Sequence, residues 1–598
     1  MNQRRVKGAL LVLLGVGVAW NLGQQGATQE KKPPALAGDF SKQLPRLAAS
    51  SPEKSRQAMQ LHPDFQVELV ASEPLVHDPV AIAFDAFGKV YVVQLPGYNA
   101  YAQKDTIQGG SVALLEDRDQ DGKYETSTLF ARDLKYPTAV CCWDGGVFIG
   151  DAPDLIYLKD LDGDGKADEK KVVFRGFGSD KAGEAHLNSF RWGLDNRFHL
   201  STNLAGGDVQ VGPGEKSKAV SVRGRGIVFD PRDLGRFELT SGGGQHGMSM
   251  DDWGRKFVCQ NSVPAQTLMY DDRYVARNPQ LKADAPAVSI APDGKFTKLY
   301  RVSPPEPWRV LRTRLRKEGK FRGSDEGGKP FGFFTGATGI TIYRGDAWGK
   351  KYHGNMIVGD VANNLVYRGK LESQGLGLVA RRADPGAEFL ASTDIWFRPV
   401  QFANAPDGNL YMLDMCRELI EGAAFLPPEF FKYLDAASGN DRGRIYRIVS
   451  RESHRKSEAP VRLGELSSLE LVPFVAHPNG WHRDVASRLL YQRQDRRVVP
   501  ALEKLAEQTS LPQGRMTALY VLAGLSSLTD EMVLKGLGDA SPQVRIQALR
   551  LAERHAAASP AVRAALVELQ EDEDLGVLYQ LAFSLGSFRN SASNGALV

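Results

Sequence analysis

The chain has 598 residues, 42% hydrophobic and 24% charged, which is the composition of a globular protein too long for one ordinary core. Its 75 basic and 71 acidic residues leave a net charge of +4. Nucleic-acid-binding domains usually carry a strong basic bias, so this balance argues against nucleic acid as the main partner.

The N-terminus has the pattern of an export signal. Three basic residues among the first seven precede an uncharged, mostly apolar run of 13 residues from Gly8 to Trp20. That length suits a signal peptide and is too short for a membrane-spanning helix, which needs about 20 residues. We predict a signal peptide over residues 1–27 and an exported protein of the periplasm or cell envelope. An uncleaved segment would be its membrane anchor, and a buried apolar helix is the alternative.

One hairpin pattern recurs between residues 79 and 415, after a segment over 28–60 whose composition predicts a linker or stalk. Each copy has a strand of alternating apolar residues, a turn with Asp or Gly, and an aromatic-rich strand. The six copies begin at Pro79, Pro137, His186, Gln245, Thr338 and Arg398. A period of two buries one face of a strand, and the turn residues permit a tight reversal. This recurrence predicts an all-β, six-bladed propeller over residues 61–450, with an open β-sandwich array as the alternative.

The four cysteines, Cys141, Cys142, Cys259 and Cys416, do not form a disulfide framework. No C-x-x-C-H motif occurs, so no covalent haem is expected in this chain. The adjacent Cys141 and Cys142 could form a strained vicinal disulfide in an oxidising compartment. Alternatively, they are two strand residues that point to opposite faces.

Two acidic loops share the pattern D-x-D-x-D-G-x-x-[DE]. Their acidic residues are Asp117, Asp119, Asp121 and Glu125 in the first, and Asp160, Asp162, Asp164 and Asp168 in the second. Oxygens at positions 1, 3, 5 and 9 can surround one hard cation, and Gly at position 6 allows the bend. Thr128 and Lys171 stand where an EF-hand would have its Glu, so the loops resemble the calcium loops of integrin-type propellers. We predict structural calcium at both, with ordinary solvated Asp-Gly hairpins as the alternative.

Three residues at the starts of inner strands are candidates for catalysis, because these positions converge on the channel mouth. A neutral His186 or His246 could act as a general base on a hydroxyl or help to bind a metal. Arg398 could hold an anion by its forked guanidinium. The alternatives are structural hydrogen bonds for the histidines and a blade-to-blade ion pair for the arginine.

Residues 300–335 interrupt the repeat with a cluster of eight basic residues around Trp308. We interpret this segment as an inter-blade insertion on the channel face, which either binds an acidic group or shapes a lid. A solvated loop is the alternative.

A polar linker over 451–466 precedes a region with helical periodicity over 467–598. Four segments, beginning at Asn479, Gly514, Ser541 and Glu573, each combine a turn with an amphipathic helix. The pattern predicts an all-α domain of HEAT-like repeats, which has the shape of a surface for a protein partner.

Several stretches resemble the planctomycete-type membrane-bound dehydrogenases. They include HPDFQVELVASEPLVHDPVAIAFDAFGKVYVV, the two acidic loops, NSFRWGLDN, FFTGATGITIYRGDAWG and SGNDRGRIYRIV. The resemblance covers residues 61–450 and the tail. Members of that family often end in a c-type cytochrome domain, for which this chain has no motif. The family is named for its similarity to soluble glucose and sorbosone dehydrogenases, which are six-bladed and use pyrroloquinoline quinone with calcium.

The resemblance to these quinoproteins holds at some positions and fails at others. His186 matches their base and Arg398 matches an arginine before the final hairpin. Their Arg-Asn pair falls at Gly243 and Gly244, and their lysine falls near Asn363, so both contacts are absent.

Two functions follow as expectations. The first is an envelope dehydrogenase that oxidises a sugar or alcohol, with pyrroloquinoline quinone as the cofactor that the resemblance implies. Its electrons would leave to a partner, such as a cytochrome c on the HEAT-like tail. The second is a non-catalytic, calcium-stabilised propeller that binds a glycan or protein. No dinucleotide fingerprint, P-loop or nucleophile elbow occurs, which argues against NAD, nucleoside triphosphates and α/β-hydrolase chemistry.

Overall fold

The computed structural model describes residues 36, 38–98, 109–179, 185–202, 204–212, 218–322, 332–422, 425–452 and 461–587. The predicted signal peptide over 1–27 lies outside these residues. Within them, no helix combines the length and the apolar character that a membrane span requires.

The described residues before the first repeat, from 38 onward, pack on the propeller, whereas the composition predicts a linker or stalk over 28–60. They form helix α1 (Pro52–Gln57) and strands β1 (Met59–Leu61) and β2 (Phe65–Ser72). Phe40 and Leu44 are buried in one cluster with Trp308 of the 300–335 insertion. Composition missed this packing because the apolar partners of the segment lie hundreds of residues away.

Six antiparallel sheets form the body of the molecule. The first contains β3 (Pro79–Phe84), β4 (Val90–Gln94), β5 (Gly110–Glu116) and β6 (Thr126–Leu134). The second contains β7 (Pro137–Trp143), β8 (Gly146–Asp151), β9 (Asp154–Lys159), β10 (Glu169–Phe177), β13 (Gly207–Val211) and β14 (Val220–Ser221). The third contains β11 (Asn188–Trp192), β12 (Phe198–Ser201), β15 (Gly226–Phe229) and β16 (Glu238–Thr240).

The remaining sheets complete the set and take in the two N-terminal strands. The fourth contains β17 (Met248–Met250), β18 (Lys256–Gln260), β19 (Val263–Leu268) and β20 (Ala287–Ser289). The fifth contains β1 with β21 (Ala337–Ile342), β22 (Met356–Asp360), β23 (Leu365–Gln374), β24 (Gly377–Arg382) and β25 (Leu390–Ser392). The sixth contains β2 with β26 (Pro399–Asn404), β27 (Leu410–Asp414) and β28 (Arg444–Ser450).

The sheets are the blades of a closed six-bladed propeller, as the repeat predicts. The first strand of each blade contacts the first strand of the next, in the order β3, β7, β11, β17, β21, β26 and back to β3. The ring closes because the N-terminal β2 is the outermost strand of the last blade, with Phe65 opposite Ser450 and Ser72 opposite Arg444. Each of the six hairpins found in the sequence supplies one inner strand and its neighbour.

The turns of these hairpins explain why the motif repeats. In the fourth blade, Oδ1 of Asp251 accepts hydrogen bonds from the backbone N–H groups of Trp253 (3.0 Å) and Arg255 (2.9 Å). Gly254 takes a φ of 75°, which glycine adopts without strain. The Asp of the first-blade hairpin, Asp85, caps its turn in the same way. The carboxylate thus satisfies the backbone of a reversal that the glycine makes possible.

Helices are concentrated at the C-terminus. Within the described part of the propeller, the α-helices are α2 (Asp272–Val275) and α3 (Pro307–Lys317). The C-terminal region contains α4 (Ser468–Leu471), α5 (Gly480–Arg493), α6 (Val499–Gln508), α7 (Pro512–Gly524), α8 (Asp530–Leu537), α9 (Pro542–His555), α10 (Pro560–Glu568) and α11 (Leu575–Leu585). Short 3-10 helices span Gly294–Phe296, Pro428–Lys432, Leu463–Glu465, Val472–Ala476, Arg496–Val498 and Leu569–Glu571.

The helical region lies on the face of the propeller that carries the hairpin turns. Asn479, before α5, donates from Nδ2 to the carbonyl oxygens of Ala405 (3.0 Å) and Pro406 (3.2 Å). Gln547 of α9 donates to the carbonyl oxygen of Trp253 at 2.7 Å. One side of the tail, predicted as a surface for a partner, is therefore occupied by the chain's own propeller.

Candidate functional site

The starts of the inner strands surround a cavity of about 280 Å³ at the end of the central channel opposite the helical region. We call it the upper cavity. Eight uncharged polar residues line it: Thr138, Asn188, Ser189, Gln245, Asn261, Thr335, Thr338 and Gln401. Aromatic rings of Tyr98, Tyr136 and Phe425 are also in the lining. Among the described lining residues, Glu421 is the one Asp, Glu, Lys or Arg.

His186 and His246, two of the three predicted catalytic residues, both line this cavity. His186 is 3% exposed, and its ring centroid lies 4.5 Å from that of Tyr136. The carbonyl oxygen of His246 accepts a hydrogen bond from the N–H of Gly339 at 2.8 Å, which joins the fourth blade to the fifth. The structure thus brings the two imidazoles to one site, as their positions in the repeat predict.

Asn188 and Ser189 line the cavity next to His186 and stabilise its wall, although no sequence motif pointed to them. Nδ2 of Asn188 donates to the carbonyl oxygens of His186 and Gly244, both at 3.0 Å. Ser189 has a left-handed φ of 57°, and its hydroxyl donates to Oδ1 of Asn188 at 3.0 Å and accepts from Met248 N–H. Strained residues that are fixed by their surroundings often mark functional sites.

In several blades, an aspartate at the end of the second strand accepts a hydrogen bond from the backbone just before the inner strand begins. Asp151 accepts from the N–H of Tyr136 at 2.7 Å, and Asp414 accepts from that of Arg398 at 2.8 Å. Asp360 accepts from the N–H of Thr335 at 3.0 Å. The recurring Asp at the ends of these strands was the sequence signal for this role.

Arg398 does not line the upper cavity, contrary to its predicted role as an orienting group. Its side chain is fully buried. The guanidinium donates to Oε1 of Glu306 (3.1 Å) and to the carbonyl oxygens of Val361 (2.8 Å), Arg417 (3.0 Å) and Glu418 (2.9 Å). All three nitrogens of Arg398 are engaged in structural contacts, and its ion pair is with the insertion, whereas the alternative interpretation was a blade-to-blade pair.

The described part of the insertion, residues 300–322 and 332–335, supports the rim of the cavity through buried charged side chains. Glu306 accepts hydrogen bonds from Arg301 (2.9 Å), Arg309 (3.3 Å) and Arg398. Burial alone would raise the pKa of Glu306, but the three guanidinium groups hold it at about 2. Arg312 of α3 is 2.9 Å from Glu421, the charged residue of the lining.

Carboxylates converge in both acidic loops. One oxygen each from Asp117, Asp119, Asp121 and Glu125 lies within 4.8 Å of the others in the first loop. One oxygen each from Asp160, Asp162 and Asp168 likewise lies within 4.8 Å of the others in the second loop. Asp164, the fourth predicted ligand there, is not in this group, and its carboxylate pairs with Lys166 at 2.8 Å.

The two loops have the same internal hydrogen bonds. The first Asp of each accepts from the N–H of the glycine at position 6, at 2.9 Å in both. The acid at position 9 accepts from the N–H of position 2, at 2.8 Å in one loop and 2.7 Å in the other. Oδ1 of Asp117 is buried and has no hydrogen-bond partner in the described part of the chain. The donor set and this unsatisfied oxygen fit a hard cation.

The loops also occupy equivalent places, since each joins the third and fourth strands of its blade. The N–H of Tyr124, beside the first loop, donates to Val70 O of β2 at 3.0 Å. The N–H of Ala167, in the second loop, donates to Phe130 O of β6 at 2.9 Å. Each loop thus contacts the preceding blade, and the first contacts the strand that closes the ring.

Cys141 and Cys142 are free thiols on opposite faces of β7, in two different hydrophobic clusters. The vicinal disulfide is absent. Burial raises the pKa of Cys142 to about 12.

A family model described as "Domain of unknown function (DUF7133)" matches residues 51–452. The chain belongs to this family. A search of curated proteins gives no match.

Solved structures give similarities at low identity. The soluble aldose sugar dehydrogenase of Escherichia coli in the apo form is 13% identical, with a TM-score of 0.36, and the match covers 65% of this chain and all of the other. The PQQ-bound aldose sugar dehydrogenase of Streptomyces coelicolor is 12% identical with a TM-score of 0.33 and the same coverage. A Trichoderma reesei carbohydrate-active enzyme of family AA12 is 10% identical, with a TM-score of 0.38, and covers 68% of this chain and 99% of the other.

The described lining of the upper cavity does not suit pyrroloquinoline quinone, a tricarboxylate. It contains no Lys or Arg, and Glu421 adds a negative charge. Gly243 and Gly244 have no side chain, and a Cβ at either would overlap a backbone oxygen. Asn363 is 1% exposed, donates to Asp360 at 3.0 Å and is not among the described lining residues. We therefore derive no step through this cofactor, which remains a prediction from the family resemblance.

Proposed function

We propose that the upper cavity binds a neutral carbohydrate or polyol. The supporting observation is its lining, in which amide and hydroxyl side chains stand beside aromatic rings with almost no formal charge. Amides and hydroxyls both donate and accept hydrogen bonds, which matches the hydroxyl groups of a sugar. The volume of about 280 Å³ is at the small end of ligand pockets, so it suits a ligand of one or two sugar rings.

Asn261 offers a test of this proposal. Its side chain lines the cavity and makes no hydrogen bond within the described residues, so its removal should leave the fold intact. For Asn261→Ala we expect affinity for the best sugar or polyol of a calorimetric panel to fall roughly 2- to 12-fold, the value of one neutral hydrogen bond. Asn278→Ala, at an exposed position outside the cavity, is the matched control. Equal affinities in the two variants would refute the assignment.

A dehydrogenase is the second candidate, and the two imidazoles in the cavity favour it. His186 could accept the hydroxyl proton of a bound alcohol, while the hydride of the same carbon would pass to a separate two-electron acceptor. The HEAT-like tail would then receive an electron-carrying protein such as a cytochrome c. The assay is dye reduction with and without added quinone and calcium, in the native chain and in His186→Gln. Binding of sugars without turnover would leave the first proposal standing and remove the second.

We further propose that both acidic loops bind calcium as a clamp between blades. Asp117, whose Oδ1 has no partner within the described residues, and six other carboxylate groups supply hard oxygen ligands. Each loop is hydrogen-bonded to the neighbouring blade. Calcium would remove the repulsion among these carboxylates and hold β2, the closing strand, in place. Export of the chain is proposed on the N-terminal pattern, and fractionation of cells that produce the full chain tests it.

A HEAT-like repeat in the tail is supported by a recurring ion pair. Arg515 in α7 pairs with Asp539 at 2.6 Å, and Arg545 in α9 pairs with Asp572 at 2.7 Å. The spacing of 30 residues between the two arginines equals one helix pair. Repeats that use the same contact in successive units build a solenoid, whose side facing away from the propeller would receive the partner.

A further inference from the structure

The channel continues below the upper cavity into a second chamber of about 160 Å³, which we call the lower chamber. Residues of all six inner strands form its walls, and Trp481, Asp484, Val485 and Arg488 of α5 form its floor. Thr138, Ser189 and Gln401 line both cavities, so the two spaces meet at these side chains. A ligand of the lower chamber would therefore enter from above.

The charges of this chamber do not balance within the described residues. Its one carboxylate, Asp484, is held by both terminal nitrogens of Arg344, at 2.6 and 2.9 Å. The next carboxylate, Asp252, accepts from Arg344 and Arg483. The ion pairs that attach α5 to the propeller thus engage both of these carboxylates.

Two guanidinium groups that line the lower chamber make no ion pair within the described residues. Arg191 of β11 makes one hydrogen bond, from Nη1 to the carbonyl oxygen of Phe190 at 2.7 Å, and no ion pair within the described residues. Arg488 of α5 makes neither a hydrogen bond nor an ion pair there, and Asp85 attracts it at longer range. Both line the lower chamber, one from the wall and one from the floor. Burial, followed by repulsion from Arg344, lowers the pKa of Arg191 to about 10, although Asp484 opposes the shift.

Removing a guanidinium from bulk water without a counter-charge costs free energy, and a bound anion would offset this cost. Guanidinium groups bind planar and tetrahedral oxyanions through two parallel hydrogen bonds, so two of them form a strong receptor for such a group. The chamber far exceeds the roughly 10–15 Å³ that one water requires.

We propose that the lower chamber binds an oxyanion, a carboxylate, phosphate or sulfate group, between Arg191 and Arg488. The anion would bridge β11 to α5 and so fix the helical region on the propeller. Its source is either a free inorganic ion or the acidic group of a larger ligand that reaches down from the upper cavity. The proposal does not depend on sugar binding in the upper cavity.

The test is the melting temperature of the full chain in sodium phosphate, sodium sulfate and sodium chloride at equal ionic strength. For the native protein we expect phosphate or sulfate to raise the melting temperature by roughly 2–4 °C over chloride. In Arg488→Met and Arg191→Met this gain should disappear. In chloride these variants should be at least as stable as the native chain, because a half-buried charge without a close counter-charge has been removed. Arg496→Met, at an exposed position of the same helical region, is the matched control and should keep the gain.

Glucuronate and glucose distinguish the two sources. A gain from glucuronate that exceeds that from phosphate, needs Arg488 and is not produced by glucose would assign the site to the acidic group of a larger ligand. A gain from phosphate that glucuronate does not reproduce would assign it to a free ion. An equal gain in native chain and Arg488→Met, or no gain from any anion, would overturn the proposal. Glucose binding that depends on Asn261 would still support the sugar site in that event.

Discussion

Asp252 connects the helical region to the propeller, and its replacement by asparagine should separate their stabilities. Its carboxylate is 5% exposed and accepts hydrogen bonds from Arg344, Arg483 and His353, the last at 2.6 Å. Burial opposes ionisation, but the two guanidinium groups hold the pKa of Asp252 well below its usual range. Asparagine keeps the size of the side chain and removes the charge, so the buried Arg483 and the half-buried Arg344 lose their shared partner.

The expected loss is about 3–5 kcal/mol in the free energy of unfolding, since breaking a buried ion pair from one side leaves uncompensated charge. Urea unfolding followed by tryptophan fluorescence is suited to this measurement, because Trp481 and Trp253 lie at this interface. Asp133→Asn is the control: its side chain is 90% exposed, it pairs with Arg132 at 3.6 Å, and we expect a change below about 0.5 kcal/mol. A loss in Asp252→Asn no larger than in the control would refute the reasoning.

Three further predictions follow from groups elsewhere in the chain. The pKa of Glu306 is lowered to about 2 from an ordinary value near 4.3. Its ion pairs therefore stabilise the fold fully above about pH 4.3, and this contribution of about 3 kcal/mol is lost as the pH falls from about 4.3 to 2. The difference in melting temperature between the native chain and Glu306→Gln should shrink between pH 6 and pH 3, and a constant difference would contradict this. Chelation of calcium should lower the melting temperature of the native chain by several degrees. Asp117→Asn should weaken this response, whereas Asp164→Asn, which lies outside the converging group, should retain it. Equal responses in the two variants would count against the assigned ligands. A thiol reagent at pH 8 should modify none of the four cysteines in the native chain and all four after denaturation, because every one is buried and free; rapid reaction of the folded protein would disprove that burial.

The blades and the acidic loops could be predicted because their determinants are local. A hairpin such as β26 and β27 needs alternating apolar residues and an Asp-Gly turn within about 16 positions, all visible in one stretch of sequence. The loop at Asp117 likewise gathers its ligands within nine residues. Spacing alone nevertheless included Asp164, whose carboxylate lies outside the converging group and pairs with Lys166. The spacing of the acidic residues does not show such a pair.

The fate of a side chain whose neighbours come from distant segments could not be predicted. Arg398 opens an inner strand, as His186 does, yet it is enclosed by Glu306 and by the backbone of residues 361, 417 and 418. His186 instead lines the upper cavity. The same strand position therefore gives a buried ion pair in one blade and a lining residue in another.

The sequence by itself determined six blades, two acidic loops and a helical tail, since each depends on short-range periodicity, turn chemistry or spacing. Only the tertiary structure decided that α5 closes the channel and that Arg191 and Arg488 face one chamber. These residues are almost 300 positions apart, and whether a charge is solvated, paired or left over depends on every segment that surrounds it.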